Sequence, residues 1–186
     1  MAFQLTNEEK NFLLGLARNT VQRFLKDEKI NKQPFFSENL KTKTGAFVTL
    51  HIDGRLRGCI GYVVGLKSLQ EAIQDLAISA AFNDPRFPPV TADQVDKIDI
   101  EISVLTPLQR VESIDEIKIG RDGLLIKQPP FEGLLLPQVA TEYGWDVPTF
   151  LTETCHKAGL DGDCWKDKST EIYRFQALVF SEHDLA

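Results

Sequence analysis

The run Gly54-Arg55-Leu56-Arg57-Gly58-Cys59-Ile60-Gly61 holds the residue types best suited to chemistry in this chain. Glycines on either side of a cysteine let the backbone bend and approach a ligand closely. Arg55 and Arg57 stand at alternate positions, so an unbroken strand puts their charges on the Cys59 face. A nearby guanidinium favours thiolate over thiol, and the thiolate is the nucleophile or metal ligand. On this reading Cys59 and Arg57 are candidate catalytic residues, and Arg55, Gly58 and Gly61 are candidate binding residues. The competing reading is a small buried cysteine whose neighbouring glycines serve packing.

A nucleophilic cysteine needs a base. The histidines are His51, His156 and His183. Asp53-Gly54 between two strand-like runs signals a hairpin with a two-residue loop, which fixes the register. That register pairs Cys59 with Val48, Arg57 with Leu50 and His51 with Leu56. It puts His51 on the face opposite Cys59, unless Gly58 bulges. His183 falls in the terminal SEHDLA, read as frayed. His156 follows Cys155 on a helix; it is either the base that folding delivers or a partner for the helix dipole near Gly159. The acids Asp84 and Glu101 are the remaining options.

Asn83-Asp84-Pro85-Arg86-Phe87-Pro88-Pro89 is a stiff, charged loop after a helix. Such a loop is a good place to present Asp84 as a catalytic and Arg86 as a binding residue. It reads equally well as a helix stop in which the two pair locally. Cys155-His156 with Cys164 matches no zinc-ligand spacing, and there is no CxxC. Phosphate loops, dinucleotide fingerprints, HExxH and GxSxG are also missing. No metal and no cofactor are therefore expected.

These candidates must be positioned by ordinary elements. Thr6 and Glu9 form a capping box ahead of a helix with Phe12, Leu13, Leu16, Ala17, Val21, Phe24 and Leu25 on one face. A polar stretch to Gly45 reads as a long loop, followed by the hairpin of 46–60. Ser68 and Glu71 cap a second helix that ends at Asn83. Ile98, Ile100, Ile102 and Val104 alternate with polar residues as a half-buried strand. Leu124–Lys127 and Leu134–Val139 read as strands, followed by a helix from the Asp146 cap to Gly159 and a last strand around Tyr173–Val179. Hairpin, helix and long strand thus occur twice, at 46–106 and 123–180. The fold class is α+β, with mostly antiparallel sheets and helices packed on them, and not a doubly wound parallel sheet.

The chain of 186 residues is 42% hydrophobic and 26% charged, which excludes disorder as its main state. It fits one domain, divided into subdomains of about 1–110 and 111–186. No run reaches the roughly eighteen apolar residues of a membrane helix. The start, MAFQLTNEEK, lacks the basic and apolar regions of a signal peptide, so a cytoplasmic location with reduced cysteines is expected. Net charge is −6, against a nucleic-acid footprint over the whole chain. The first sixty residues carry ten Lys or Arg against six Asp or Glu, but the two signs are interleaved along the first helix. On charge grounds, nucleic acid is therefore not expected as a partner.

Leu56-Arg57-Gly58-Cys59-Ile60-Gly61 closely resembles the signature hexapeptide of the AMMECR domain family, named for a chromosomal region linked to Alport syndrome, midface hypoplasia and elliptocytosis. Further blocks resemble the family in order: Ala80 to Pro88, Ile102 to Pro107, Gly120 to Ile126, Leu135 to Ala140, and Phe150 through Cys155-His156-Lys157-Ala158-Gly159-Leu160 to Trp165. The resemblance implies an α+β, cytosolic protein. Prokaryotic members look like the A component of a system that also has a Memo-like protein and a radical SAM protein, so those are the implied partners. It implies no established reaction. An enzyme component with a thiol site at Cys59, a non-catalytic adaptor using the same surface, and a nucleic-acid-associated module are the three functional expectations.

Overall fold

The computed structural model describes residues 4–31, 33–34 and 36–185. Helix α1 (Asn7–Leu25) begins at the Thr6–Glu9 capping box, in which each side chain bonds the other's backbone N–H. Its buried stripe includes Leu13, Leu16, Ala17 and Val21. Among its described residues, the loop that follows holds a short 3-10 turn at Asn39–Lys41, whose Leu40 is fully buried. Gln70 Nε2 ties that loop down by donating to the carbonyls of Gln33 and Pro34.

Strands β1 (Ala46–Ile52) and β2 (Arg55–Tyr62) form the expected hairpin. Asp53 and Gly54 both have positive φ, the conformation a tight two-residue turn between twisted strands requires. Helix α2 (Leu69–Phe82) starts at Ser68, whose hydroxyl accepts from the Glu71 N–H. The one-turn helix α3 (Ala92–Val95) leads into β3 (Ile98–Leu105). Strand order in the first sheet is β2-β1-β3-β8, with β8 being Ala177–Ser181. Helices α1 and α2 cover one face of it, where Leu13, Ala17, Leu69, Ile73 and Leu76 meet Val48, Leu50, Ile100 and Ile102.

The second sheet has the order β4-β7-β5-β6, from β4 (Gln109–Arg110), β5 (Gly123–Gln128), β6 (Phe131–Leu135) and β7 (Glu171–Phe175). Leu134–Val139 is not one strand: β6 stops at Leu135, and Pro137 opens helix α4 (Pro137–Glu142), as a proline at the first helical position favours. Helix α5 (Val147–Lys157) has the expected Asp146 cap on the Thr149 N–H, and Gly159 follows with φ +76°. Leu124, Ile126, Phe150 and Leu151 form its core with Cys155 and Cys164.

The repeat suggested by the sequence is one of topology. Each sheet carries a hairpin whose first strand is flanked by its own partner and by the strand after the helix: β2-β1-β3 and β6-β5-β7. All four of these pairings are antiparallel. The fourth strand differs in origin, since β4 precedes its hairpin while β8 comes from the chain's end. The chain accordingly divides into one unit that runs to Val104 and resumes at Leu178, and a second of Leu105–Ala177. The division expected near residue 110 thus falls a few residues earlier, and the last segment belongs with the first unit. Nor is that segment frayed: α6 (Glu182–Leu185) is capped by Ser181, and Glu182 bonds Arg18.

Cys155 and Cys164 are joined by a disulfide, which corrects the expectation of three reduced cysteines. The turn after Gly159 brings the two Cα atoms to 6.0 Å, the usual spacing for such a bond. Cys59 is the free cysteine. Among the described residues no helix is long and apolar enough to cross a membrane, and no three His, Cys, Asp or Glu side chains are grouped to hold a metal ion.

A clamped cysteine as candidate functional site

The hairpin register decides where Cys59 points. His51 pairs with Leu56 as the turn dictates, but Leu50 pairs with Gly58 and Thr49 with Cys59. Arg57 is the extra residue of a β-bulge. The expected pairs Cys59–Val48 and Arg57–Leu50 are therefore wrong by one residue, and a one-residue slip exchanges the faces of a strand. A packing constraint accounts for the bulge. Gly58 lies under the last turn of α2, where a Cβ would stand 2.1 Å from the Ala80 carbonyl oxygen. With glycine turned to the core face, Cys59 turns to the other face, beside Thr49.

Gly61 is likewise occupied by the protein itself: a Cβ there would stand 2.1 Å from the Phe47 ring. Neither glycine leaves its space open to a ligand. Arg57 does not flank the thiol as an unbroken strand would have it. It is buried, and its Nη2 donates to the carbonyls of Pro88 (2.8 Å) and Pro89 (3.3 Å) and to Gln94 Oε1 (2.9 Å). Arg57 thus staples β2 to the loop between α2 and α3. Arg55 lies exposed at the turn.

That loop carries the second motif. Asp84 is only 4% exposed. Its Oδ2 accepts the Cys59 backbone N–H at 2.9 Å, and its Oδ1 accepts from the Arg86 backbone N–H at 3.1 Å and Arg86 Nε at 3.0 Å. Arg86 Nη2 donates to Asp84 Oδ2 at 2.7 Å and to the Cys59 carbonyl at 3.1 Å. Both main-chain groups of Cys59 are thereby satisfied on the outer edge of β2, an edge strand of the sheet. Two side chains do the work of a neighbouring strand, which protects an otherwise open edge. The two readings of the loop merge here, because the Asp84–Arg86 pair is local and still reaches the cysteine.

The electrostatics fit this role. The hydrogen bonds from Arg86 hold the Asp84 carboxyl far below the usual carboxylate range, outweighing burial, which pushes it up. The same bond keeps the Arg86 guanidinium firmly charged, and its charge also feels Cys59. A carboxylate held so strongly as the anion is a poor proton acceptor, so Asp84 positions the cysteine rather than serving it as a base.

The thiol is partly exposed, and Thr49 Oγ1 donates to Cys59 Sγ at 3.2 Å. The outer face carries more polar groups. Thr49 pairs across to Glu101 on β3, and His51, two residues along on the same face, pairs with Asp99. The bulge therefore puts His51 on the Cys59 side, contrary to the unbulged register. His183 stands on α6. His156 belongs to the second unit, in the last turn of α5, with Nδ1 3.5 Å from Glu153 on the same helix. Thr49 and Gln94 were not singled out in the sequence. A threonine in a strand of strand formers gives no signal until the register is known.

The model of the AMMECR1 family matches residues 14–180. Protein MJ0810 of Methanocaldococcus jannaschii is 46% identical over 186 residues, covering 96% of this chain and 92% of the relative. Protein PH0010 of Pyrococcus horikoshii is 44% identical over 193 residues, covering 98% of this chain and 94% of its own. The crystal structure of PH0010 superimposes with a TM-score of 0.86 at 43% identity, over 93% of this chain and 91% of that one. A family match of this extent, together with relatives at this identity over nearly the full length, places the chain in the AMMECR1 family.

Proposed function

We propose that this AMMECR1-family chain is an enzyme or enzyme component that works through the Cys59 thiol, beside the Memo-like and radical SAM proteins that the family resemblance implies as partners. The observation that carries this reading is the contrast at one residue. The backbone of Cys59 is fixed by Asp84 and Arg86, while its sulfur lies partly exposed on a polar face and is met by the Thr49 hydroxyl. A cysteine that serves packing alone needs no such presentation; reactive ones sit partly exposed with hydrogen-bond donors and positive charge nearby. The test is alkylation by iodoacetamide without reductant, followed by mass mapping. Cys59 is expected to react faster than a free thiol of similar size, and Thr49→Val to slow it. A rate no faster than that of a free thiol would remove the reading.

A second reading, the non-catalytic adaptor, draws on Tyr62, Val64 and Leu66, which are exposed just beyond the cysteine motif. Large apolar side chains left in water close together favour a protein contact. Co-purification with the Memo-like and radical SAM proteins separates the two. Loss on Leu66→Asp but not on Cys59→Ser favours the adaptor. The nucleic-acid reading has the least support, since acids alternate with bases along α1 and counterion release needs several phosphates neutralised at once.

A further inference from the structure

Resting on the thiol reading above, we infer that His51 is the base that takes the Cys59 proton and that Asp99 orients it. The bulge at Arg57 is what makes this arrangement available. It pairs Cys59 with Thr49, and His51 is the next residue of β1 on that face. Such diagonal neighbours stand roughly 7–8 Å apart at the backbone, a gap that an imidazole and a cysteine side chain span together. Asp99 is the direct partner of His51 on β3. Nucleophile, imidazole and carboxylate thus follow one another across three adjacent strands, the arrangement by which a thiol is activated on several unrelated folds. All three residues are partly exposed. A shallow, open surface depression of about 580 Å³ lies against Asp99, lined also by Gly54, Ile98, Ser181, Glu182 and His183.

Other charged groups share the neighbourhood. Glu101 neighbours Asp99 on the same face of β3, Arg86 reaches over the β2 edge, Asp53 and Arg55 flank the turn, and Glu182 and His183 stand on α6. Asp84 is excluded as base by its own bonds, and Glu182 is engaged with Arg18 and the Ile100 N–H. Glu101 is the competitor, because it pairs across with Thr49, which is itself the direct partner of Cys59. The step is simple: the S–H bond breaks, its proton passes to an imidazole nitrogen of His51, and the sulfur electron pair attacks an electrophilic carbon of the substrate, which loses its leaving group.

Iodoacetamide serves as the probe on the intact protein, with iodide as the leaving group. At near pH 7, His51→Gln is expected to slow Cys59 alkylation about tenfold, with Asp99→Asn slowing it less. At about pH 9.5, where thiols ionise unaided, the same variants are expected to react within roughly twofold of the wild type. Added imidazole is expected to restore the rate in His51→Gly, a rescue that a merely structural role does not produce. His51→Asn replaces His51→Gln if the latter does not fold. The assignment is overturned if the His51 variants match the wild type near pH 7, or if Glu101→Gln shows the loss instead. A wild-type Cys59 no faster than a free thiol overturns the thiol reading itself, so the two failures are distinct.

Discussion

Asp84 accepts the backbone N–H of Cys59 at 2.9 Å across the edge of the first sheet, although the two residues stand twenty-five apart in sequence. The bond joins the two sequence motifs into one device. With Arg86 on the Cys59 carbonyl and Arg57 on the Pro88 and Pro89 carbonyls, the strand and the loop hold each other in place.

This device has a pH signature. The folded protein holds Asp84 well below its unfolded value, so the unfolded chain binds more protons in acid. The stabilisation is complete above the unfolded carboxylate range, near pH 4 and higher, and is lost as pH falls toward the depressed folded value. Asp84→Ala is expected to cost about 2–4 kcal/mol at neutral pH, since it strips a buried N–H and a guanidinium of their acceptor. Urea denaturation at neutral pH and again in acid checks this. The gap between wild type and variant should narrow in acid, and a gap independent of pH would contradict it.

How much of this was legible beforehand depends on the range of the forces involved. Thr6, Ser68 and Asp146 announced their helices because capping is settled within four residues. Asp53-Gly54 announced its turn for the same reason. The face of Cys59 was not legible, because it hangs on one extra residue, Arg57, and that bulge answers to the Ala80 carbonyl on a distant helix. The loop residues Asp84 and Arg86 were recognisable as a pair, but their reach to the cysteine backbone was not. Pro137 was misread as part of a strand, although a proline that suits the start of a helix stood in plain view. The Cys155–Cys164 bond escaped because a cytosolic expectation argued against it and nothing in the spacing argued for it.

The two glycines of the motif should fail differently when given a side chain. In Gly58→Ala the new methyl meets the Ala80 backbone oxygen at 2.1 Å, and neither strand nor helix can yield without breaking hydrogen bonds. In Gly61→Ala it meets first the Phe47 ring at 2.1 Å, a side chain that can be removed, and then the Ala46 backbone oxygen at 2.6 Å, which cannot. Each single change is expected to destabilise by about 1–3 kcal/mol or more. Adding Phe47→Ala should recover part of the loss in the second case and none in the first. Thermal melts of the four proteins decide; equal behaviour in both backgrounds would refute the explanation.

The disulfide should matter to the second unit alone. It closes a loop over a sequence separation of 9 residues between α5 and the 3-10 turn at Cys164–Lys166. A loop of this size is worth about 2–3 kcal/mol through the unfolded chain's entropy. Cys155→Ala with Cys164→Ala, or reduction by dithiothreitol, is expected to raise hydrogen exchange in α5 and its sheet. Exchange in α1 and α2 should stay within error. A matching rise in α1 would show that the bond supports more than its own core.

Beside the pairing of β8 in the sheet, the last segment should depend on one ion pair, Arg18–Glu182. Arg18 donates from Nε and Nη2 to the Glu182 carboxylate, from Nη1 to the Val95 carbonyl at 3.0 Å and from Nη2 to the Ile98 carbonyl. Glu182 Oε2 also accepts the Ile100 N–H at 3.0 Å. One guanidinium therefore ties together α1, the approach to β3 and α6, and the pair is about three-quarters buried, with side-chain exposures of 26% and 25%. Fully exposed pairs are worth little and breaking fully buried ones costs most, so an intermediate cost of about 1–3 kcal/mol is expected for Glu182→Ala. Glu182→Gln keeps the shape but loses the charge, and should fall between. Arg18→Ala should cost more than Glu182→Ala, because the Val95 and Ile98 carbonyls also lose their donor. The two changes touch one network, so the double variant should cost clearly less than their sum. Urea melts give the energies, and carboxypeptidase digestion reports release of the tail. Additive costs, or a tail no easier to digest in Glu182→Ala, would mean that β8 alone holds the chain's end in place.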